Sequence, residues 1–266
     1  MPAFAQNLKF MVDRKLKKRT FKPYTIKRTL SGMDFEFLIA DSVGKDWYDA
    51  PVSTTYSELD YAREKVLEPG EIIVEFGAHH GYKTCYFAKL IGEKGKIVSV
   101  EPSSFNTDVI KQNLKLNNIK NVEVITKAGG EKAGDKARFS FSSNSSIQEG
   151  HKVGTFEAEI TTIDSFAKLH PTLLKIDVEG YEIEVLKGAQ KVLKTRPKIM
   201  LEIHTAQLTQ RGFSVQDVFD LMDLTDYDVE LMEEPKVYPL GDIKDIKTNV
   251  QMYALPKKTS AKKKQK

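Results

Sequence analysis

Glu71-Ile-Ile-Val-Glu-Phe-Gly-Ala-His-His-Gly81 sets a short apolar run directly against a Gly-x-x-x-Gly turn. Ile72, Ile73, Val74 and Phe76 form the nearly continuous hydrophobic stretch of a parallel strand covered on both faces. Gly77 and Gly81 let the backbone turn tightly and approach a ligand, and residues 82 to 91 then follow helical spacing. The turn therefore sits at a strand's carboxyl end, the edge where open α/β sheets bind nucleotide-type cofactors.

Spacing separates two classes of such cofactor. A dinucleotide loop reads Gly-x-Gly-x-x-Gly close behind its strand, and that pattern is absent. Instead Glu75 stands two residues before the first glycine. A second apolar strand, Lys96-Ile-Val-Ser-Val-Glu101, ends in another carboxylate suited to the paired hydroxyls of a ribose. Glu101 alone does not choose between NAD and S-adenosylmethionine; the missing glycine and the acid inside the first strand favour the sulfonium cofactor.

Outward from this loop, strands are expected at 72–76, 96–101, 122–126, 172–177 and 198–203, with helices near 82–92, 105–117, 181–194 and 214–224. This alternation predicts an α/β fold with a doubly wound, mostly parallel sheet. Before the loop, Met33-Asp-Phe-Glu-Phe-Leu-Ile39 alternates as a strand or hairpin, and a helix over 57–66 has Ser57 or Thr55 as its cap. Arg138 to Phe141 and Phe156 to Ile160 read as extra strands around Ser142-Ser-Asn-Ser-Ser146, a surface loop with the placement of a lid. Residues 227–232 and 250–255 are expected to close the sheet in antiparallel fashion. The reading divides the chain into a basic leader and small extension (1–50), one large domain (51–256) and a basic tail (257–266).

The 266 residues carry a net charge of +4, but residues 9–28 hold nine Lys or Arg against one Asp and residues 257–266 hold six lysines. The remainder is acidic by −10. The tail reads as a disordered solubilising segment. The leader, with Phe4, Leu8, Met11, Val12 and Leu16 at helical intervals, reads as a helix packed on its own domain, with peripheral contact to a partner or anionic surface as the other use. A lone cysteine, Cys85, excludes an internal disulfide and a cysteine-based zinc cluster. No apolar run reaches the roughly 18 residues of a membrane span, and the expectation is a cytoplasmic protein.

The second strong motif is Leu173-Leu-Lys-Ile-Asp-Val-Glu-Gly-Tyr-Glu182, an apolar strand that runs into an acidic turn and a helix. Strand alternation puts Asp177 and Glu179 on one face, and Glu202 and His204 on one face of the next strand. These four, with His79 and His80, are expected to line one crevice beyond the strands' carboxyl ends.

Together, Glu75-Phe-Gly-Ala-His-His-Gly-Tyr-Lys-Thr84, Val100-Glu-Pro102, Asn113-Leu-Lys-Leu-Asn117, Lys175-Ile-Asp-Val-Glu-Gly-Tyr-Glu182 and Val185-Leu-Lys-Gly188 resemble the FkbM family of S-adenosylmethionine-dependent methyltransferases over about residues 35–232. The acidic Ile-Asp-Val-Glu-Gly turn is the most specific part. The chain departs from the usual pattern at Glu75, where Asp is commoner, and at His79-His80, where Asn often stands. The resemblance implies a seven-stranded sheet of class I methyltransferase type with helices on both faces, and O-methylation of a sugar, glycan or related small-molecule hydroxyl. Methylation of RNA and a catalytically silent cofactor-binding protein are the alternatives; nucleic acid is disfavoured by the acidic body.

Cofactor contacts are expected from Glu75, Gly77, Ala78, His79, Gly81, Thr84, Glu101, Pro102 and Asp177. A hydroxyl acceptor needs a base, and His204 comes first, followed by Asp177 and His79. No metal is expected, although Asp177, Glu179, Glu202 and His204 are a donor set suited to magnesium or manganese.

Overall fold

The structure, a computed structural model, describes residues 21–51, 57–140 and 155–258. The expected leader helix, the Thr55 cap, the Ser142–Ser146 loop and nearly all of the lysine tail lie outside these residues.

A hairpin opens the described chain: β1 (Tyr24–Leu30) pairs antiparallel with β2 (Met33–Ile39), followed by α1 (Ser42–Tyr48). A short helix α2 (Glu58–Tyr61), closed by a Ser57–Asp60 capping box, runs into a π-turn at Ala62–Val66. Then come β3 (Ile72–Phe76), α3 (Tyr82–Ile91), β4 (Lys96–Val100), α4 (Ser104–Leu116) and β5 (Val122–Ile125). β6 (Ala128–Gly129), β7 (Lys136–Ser140) and β8 (Thr155–Thr161) form a small separate sheet. The chain returns through β9 (Leu173–Ile176), α5 (Glu182–Lys187), α6 (Gln190–Leu193), β10 (Lys198–Ile203), α7 (Thr205–Gln210) and α8 (Val215–Phe219), and ends in β11 (Tyr227–Glu233), β12 (Lys236–Pro239) and β13 (Val250–Pro256).

The main sheet has the order β12-β11-β13-β10-β9-β3-β4-β5. β10, β9, β3, β4 and β5 pair in parallel, while β13 runs antiparallel to both β10 and β11, and β12 antiparallel to β11. The expected seven strands thus become eight in a mixed sheet. The extra one is a short return after Glu234-Pro235 whose polar flanks give little strand signal; it pairs with the free edge of β11.

Two apolar layers hold the sheet. One face packs Val74, Phe76, Leu174 and Leu201 against α5, α6 and α8; the other packs Ile73, Ile97, Leu173 and Met200 against α3, α4 and the hairpin. Asn113 of α4 and Asn117, its C-terminal cap, accept the Leu38 and Glu36 N–H groups, at 2.7 and 3.0 Å, and so fix the hairpin to the domain. The single helix expected over 181–194 is broken after Lys187, because Gly188 approaches the Gly130 carbonyl so closely that a Cβ would lie 2.2 Å from its oxygen. This close contact brings the small sheet against the strand ends.

Candidate active site

The β3–α3 turn is built by backbone contact before any ligand is considered. Gly77 has φ +84°, and a Cβ there would stand 1.6 Å from the Asp177 carbonyl oxygen. The two carboxyl-edge turns are therefore in van der Waals contact through a glycine. Gly81, at φ +76°, caps the ten-residue helix α3 without a side-chain hydrogen bond.

Glu101, at the end of β4, faces this turn. Its Oε2 accepts the His79 N–H at 3.1 Å, and its Oε1 accepts the Ser103 N–H and Asn106 Nδ2, both at 3.0 Å. Burial raises its pKa to about 7 despite those donors. A carboxylate oxygen can accept a second hydrogen bond beside this one. Pro102 follows immediately and orients Ser103, the cap of α4.

Glu75 and Thr84 lie together beneath the turn. Thr84 Oγ1 and Ser99 Oγ donate to Glu75 Oε2 at 2.7 and 2.9 Å, and both Glu75 and Thr84 are fully buried. Glu75 thus braces the loop from below.

The opposite wall is the turn after β9. Glu179 (φ +52°) and Gly180 (φ +94°) take consecutive left-handed conformations, and Arg211 donates to the Gly180 carbonyl while stacking over the Tyr181 ring. This turn and β10 together bring four carboxylates to one imidazole. His204 Nδ1 lies 2.7 Å from Glu182 Oε1, and its Nε2 lies 3.6 Å from Glu179 Oε2, 3.6 Å from Glu202 Oε1 and 3.9 Å from Asp177 Oδ1. Burial works against the His204 proton, but Glu182, Glu179 and Glu202 outweigh it and raise the pKa to about 9. Burial and Asp177 push Glu202 up to about 7. For Asp177 itself burial is outweighed by Lys175, Lys83 and His204, which hold it down at about 2.

Residues 75–229 match the family described as the methyltransferase FkbM domain, more than half of the chain. The chain belongs to the FkbM family of S-adenosylmethionine-dependent methyltransferases. The fold agrees. It resembles the structure of methyltransferase FkbM from Methylobacillus flagellatus KT at 18% identity and TM-score 0.51, over 76% of this chain and 48% of that one, so the chain spans about half of that protein's length. Weaker likenesses include a putative rRNA methylase from Clostridium thermocellum (12% identity, TM-score 0.46, 75% of this chain and 93% of that chain) and an S-adenosylmethionine-dependent O-methyltransferase from Thermotoga maritima (12%, 0.46, 88% and 78%). No curated protein matches the sequence.

Within this FkbM domain the expected residues divide into two groups. His79, Gly77, Gly81 and Glu101 meet around the loop, with Ala78 largely buried in it; Asp177, Glu179, Glu202 and His204 meet at the acidic turn. Three further residues join them. Lys175, 4% exposed, donates to the Gly77 carbonyl at 2.7 Å and lies 3.4 Å from Asp177 and 3.7 Å from Glu75, linking the two turns. Lys83 bridges Glu58 at 2.6 Å and Asp177 at 3.8 Å. Burial opposes the Lys83 charge, but Glu58, Asp177 and Glu202 raise its pKa well above the usual value. Tyr48 Oη lies 2.6 Å from His79 Nδ1, and burial keeps the phenol protonated. His79 stacks on His80 at 4.0 Å, and burial with that neighbour lowers its pKa well below the ordinary value, so it is neutral at pH 7. The signal for Lys175 was present in the sequence: a lysine inside a continuous apolar strand covered on both faces must find a buried partner.

Proposed function

We propose that this protein methylates a hydroxyl oxygen of a sugar, glycan or related small molecule. The observation that carries the reading is a neutral imidazole, His79, held at the cofactor loop by Tyr48. An alcohol must lose its proton as the oxygen attacks, and an imidazole already protonated cannot take it. His204 is kept charged by its carboxylates, which places His79 ahead of it as the base. With His79 Nδ1–H donating to Tyr48 Oη, Nε2 is left to accept the acceptor's proton; among the described residues this buried atom has no hydrogen-bond partner.

The residues present fit S-adenosylmethionine. Glu101 has oxygen capacity for the ribose, Gly77 and Gly81 open the loop, Pro102 and Ala78 flank it, and Asp177, a carboxylate at neutral pH, suits the amino end. Bound, the cofactor supplies an activated methyl group. Glu75 and Thr84 serve from beneath the loop.

A ring-shaped acceptor is favoured by Trp47, which is 49% exposed and tilted over His79 at 4.8 Å between centroids. The apolar face of a pyranose stacks on such a surface. Phosphodiesters are disfavoured by the carboxylates of the opposite wall. Transfer of radiolabelled methyl groups into glycan and RNA extracts tests this reading: label is expected in the glycan fraction, and label in RNA alone would overturn it.

A further inference from the structure

The cluster around His204 has the dimensions of a cation site. One donor atom each from Asp177, Glu179 and His204 lies within 4.8 Å of the other two. The three carboxylate oxygens facing His204 Nε2 stand 3.6, 3.6 and 3.9 Å away. A hydrogen bond would draw them to about 3 Å. Donors that share a metal at about 2.1 Å are instead separated by about 3 Å when adjacent and about 4.2 Å when opposite.

A second observation is independent of the carboxylates' number. His204 is 2% exposed, and its Nδ1 is committed to Glu182 Oε1, which also accepts the Gly180 N–H at 3.0 Å. The outer nitrogen is thus turned toward Asp177, Glu179 and Glu202. Metal-bound histidines are oriented in this way, by a carboxylate on the far ring nitrogen. Among the described residues, Lys175 and Lys83 both reach the Oδ2 side of Asp177, leaving Oδ1 toward His204. A cavity of about 200 Å³ lined by Glu58, Glu202, Asn249 and Gln251 reaches the Glu202 side of the cluster.

We propose that Asp177, Glu179 and His204 bind one divalent cation of the manganese type, which displaces the Nε2 proton of His204 to solvent, with Glu202 as a further oxygen donor and Glu182 as the positioning residue for His204. Mixed carboxylate and imidazole donors suit such an ion. A cation here would hold and acidify the acceptor hydroxyl, a role that rests on the methyl-transfer reading; the binding itself does not.

The full-length chain, stripped with chelator and desalted, is titrated with Mn²⁺ while the electron paramagnetic resonance signal of free Mn²⁺ is followed. One ion per chain is expected. E179Q and H204N are each expected to weaken binding at least about tenfold, and E157Q, on the exposed face of β8, to leave it unchanged. E179Q alters a turn residue rather than a core one, so it remains informative if H204N does not fold. Calorimetry with S-adenosylhomocysteine on the same samples reports folding and the cofactor site separately. Absence of Mn²⁺ binding by protein that binds S-adenosylhomocysteine would overturn the cation site, as would equal Mn²⁺ affinity in wild type, E179Q and H204N. Mn²⁺ binding without S-adenosylhomocysteine binding would keep the cation site and remove the methyl-transfer reading.

Discussion

On the wall formed by β3, β4 and the glycine turn, buried carboxylates take hydrogen bonds from ordered donors: Glu75 Oε2 from Thr84 and Ser99, with its Oε1 3.7 Å from Lys175, and Glu101 from His79, Ser103 and Asn106. Across the crevice, Glu179, Glu202 and Asp177 converge on His204 Nε2 at distances no hydrogen bond spans, and two lysines supply the balancing charge. The first arrangement is a slot whose shape is set in advance by neutral donors. The second is a group of charges whose positions depend on one another. A slot of fixed shape suits a cofactor that is the same in every turnover, and a balanced cluster suits the step in which charge moves.

The contact between the walls is the largest lever. Gly77→Ala would drive a Cβ into the Asp177 carbonyl at a positive φ, and is expected to cost upward of about 3 kcal/mol in stability and to abolish S-adenosylhomocysteine binding, read by thermal unfolding and calorimetry. Lys175→Met comes next. It leaves Glu75 and Asp177 without their shared buried cation and is expected to cost about 3 kcal/mol in urea unfolding, with full stability retained if the two walls are independent.

Glu101 gives the first wall a pH dependence in the same range as that of Glu202 on the second. Its pKa is raised from 4.5 to about 7, so its contribution to stability is whole below 4.5 and is lost as pH rises through 7, by at most about 3 kcal/mol. Unfolding of the ligand-free protein between pH 5 and 8 should show this slope, and Glu101→Gln should reduce it to the part that Glu202 contributes. The smallest expected effect is Tyr48→Phe, which removes the partner that sets the His79 tautomer. It is expected to lower kcat about fivefold to tenfold, about 1 kcal/mol, at unchanged KM for S-adenosylmethionine; an unchanged kcat would remove His79 as the oriented base.

How much of this was legible follows from where each interaction partner sits in the chain. β3, its glycine turn and α3 are contiguous, and the strand's apolar run, the glycines and the helical spacing all point one way. The acidic turn was equally readable, because Asp177, Glu179 and Glu182 carry their charge within six residues. The Lys175 grip on Gly77 spans 98 positions, and the Tyr48 bond to His79 spans 31, so neither leaves a local pattern. The order of bases we propose differs from the order read from the sequence for the same reason. His204 and His79 look alike as sequence, and only the surrounding carboxylates keep one charged while burial keeps the other neutral. β12 escaped because its strand identity comes from pairing with β11 rather than from its own residues.

Calorimetric titration of S-adenosylhomocysteine into wild type and Glu101→Gln tests the account most directly. One molecule per chain should bind the wild type, and the substitution should weaken it about tenfold to a hundredfold while the fold survives, about 1.5–3 kcal/mol for a hydrogen bond to a charged group. No binding by the folded wild type, or equal affinity in both proteins, would contradict the assignment of this crevice.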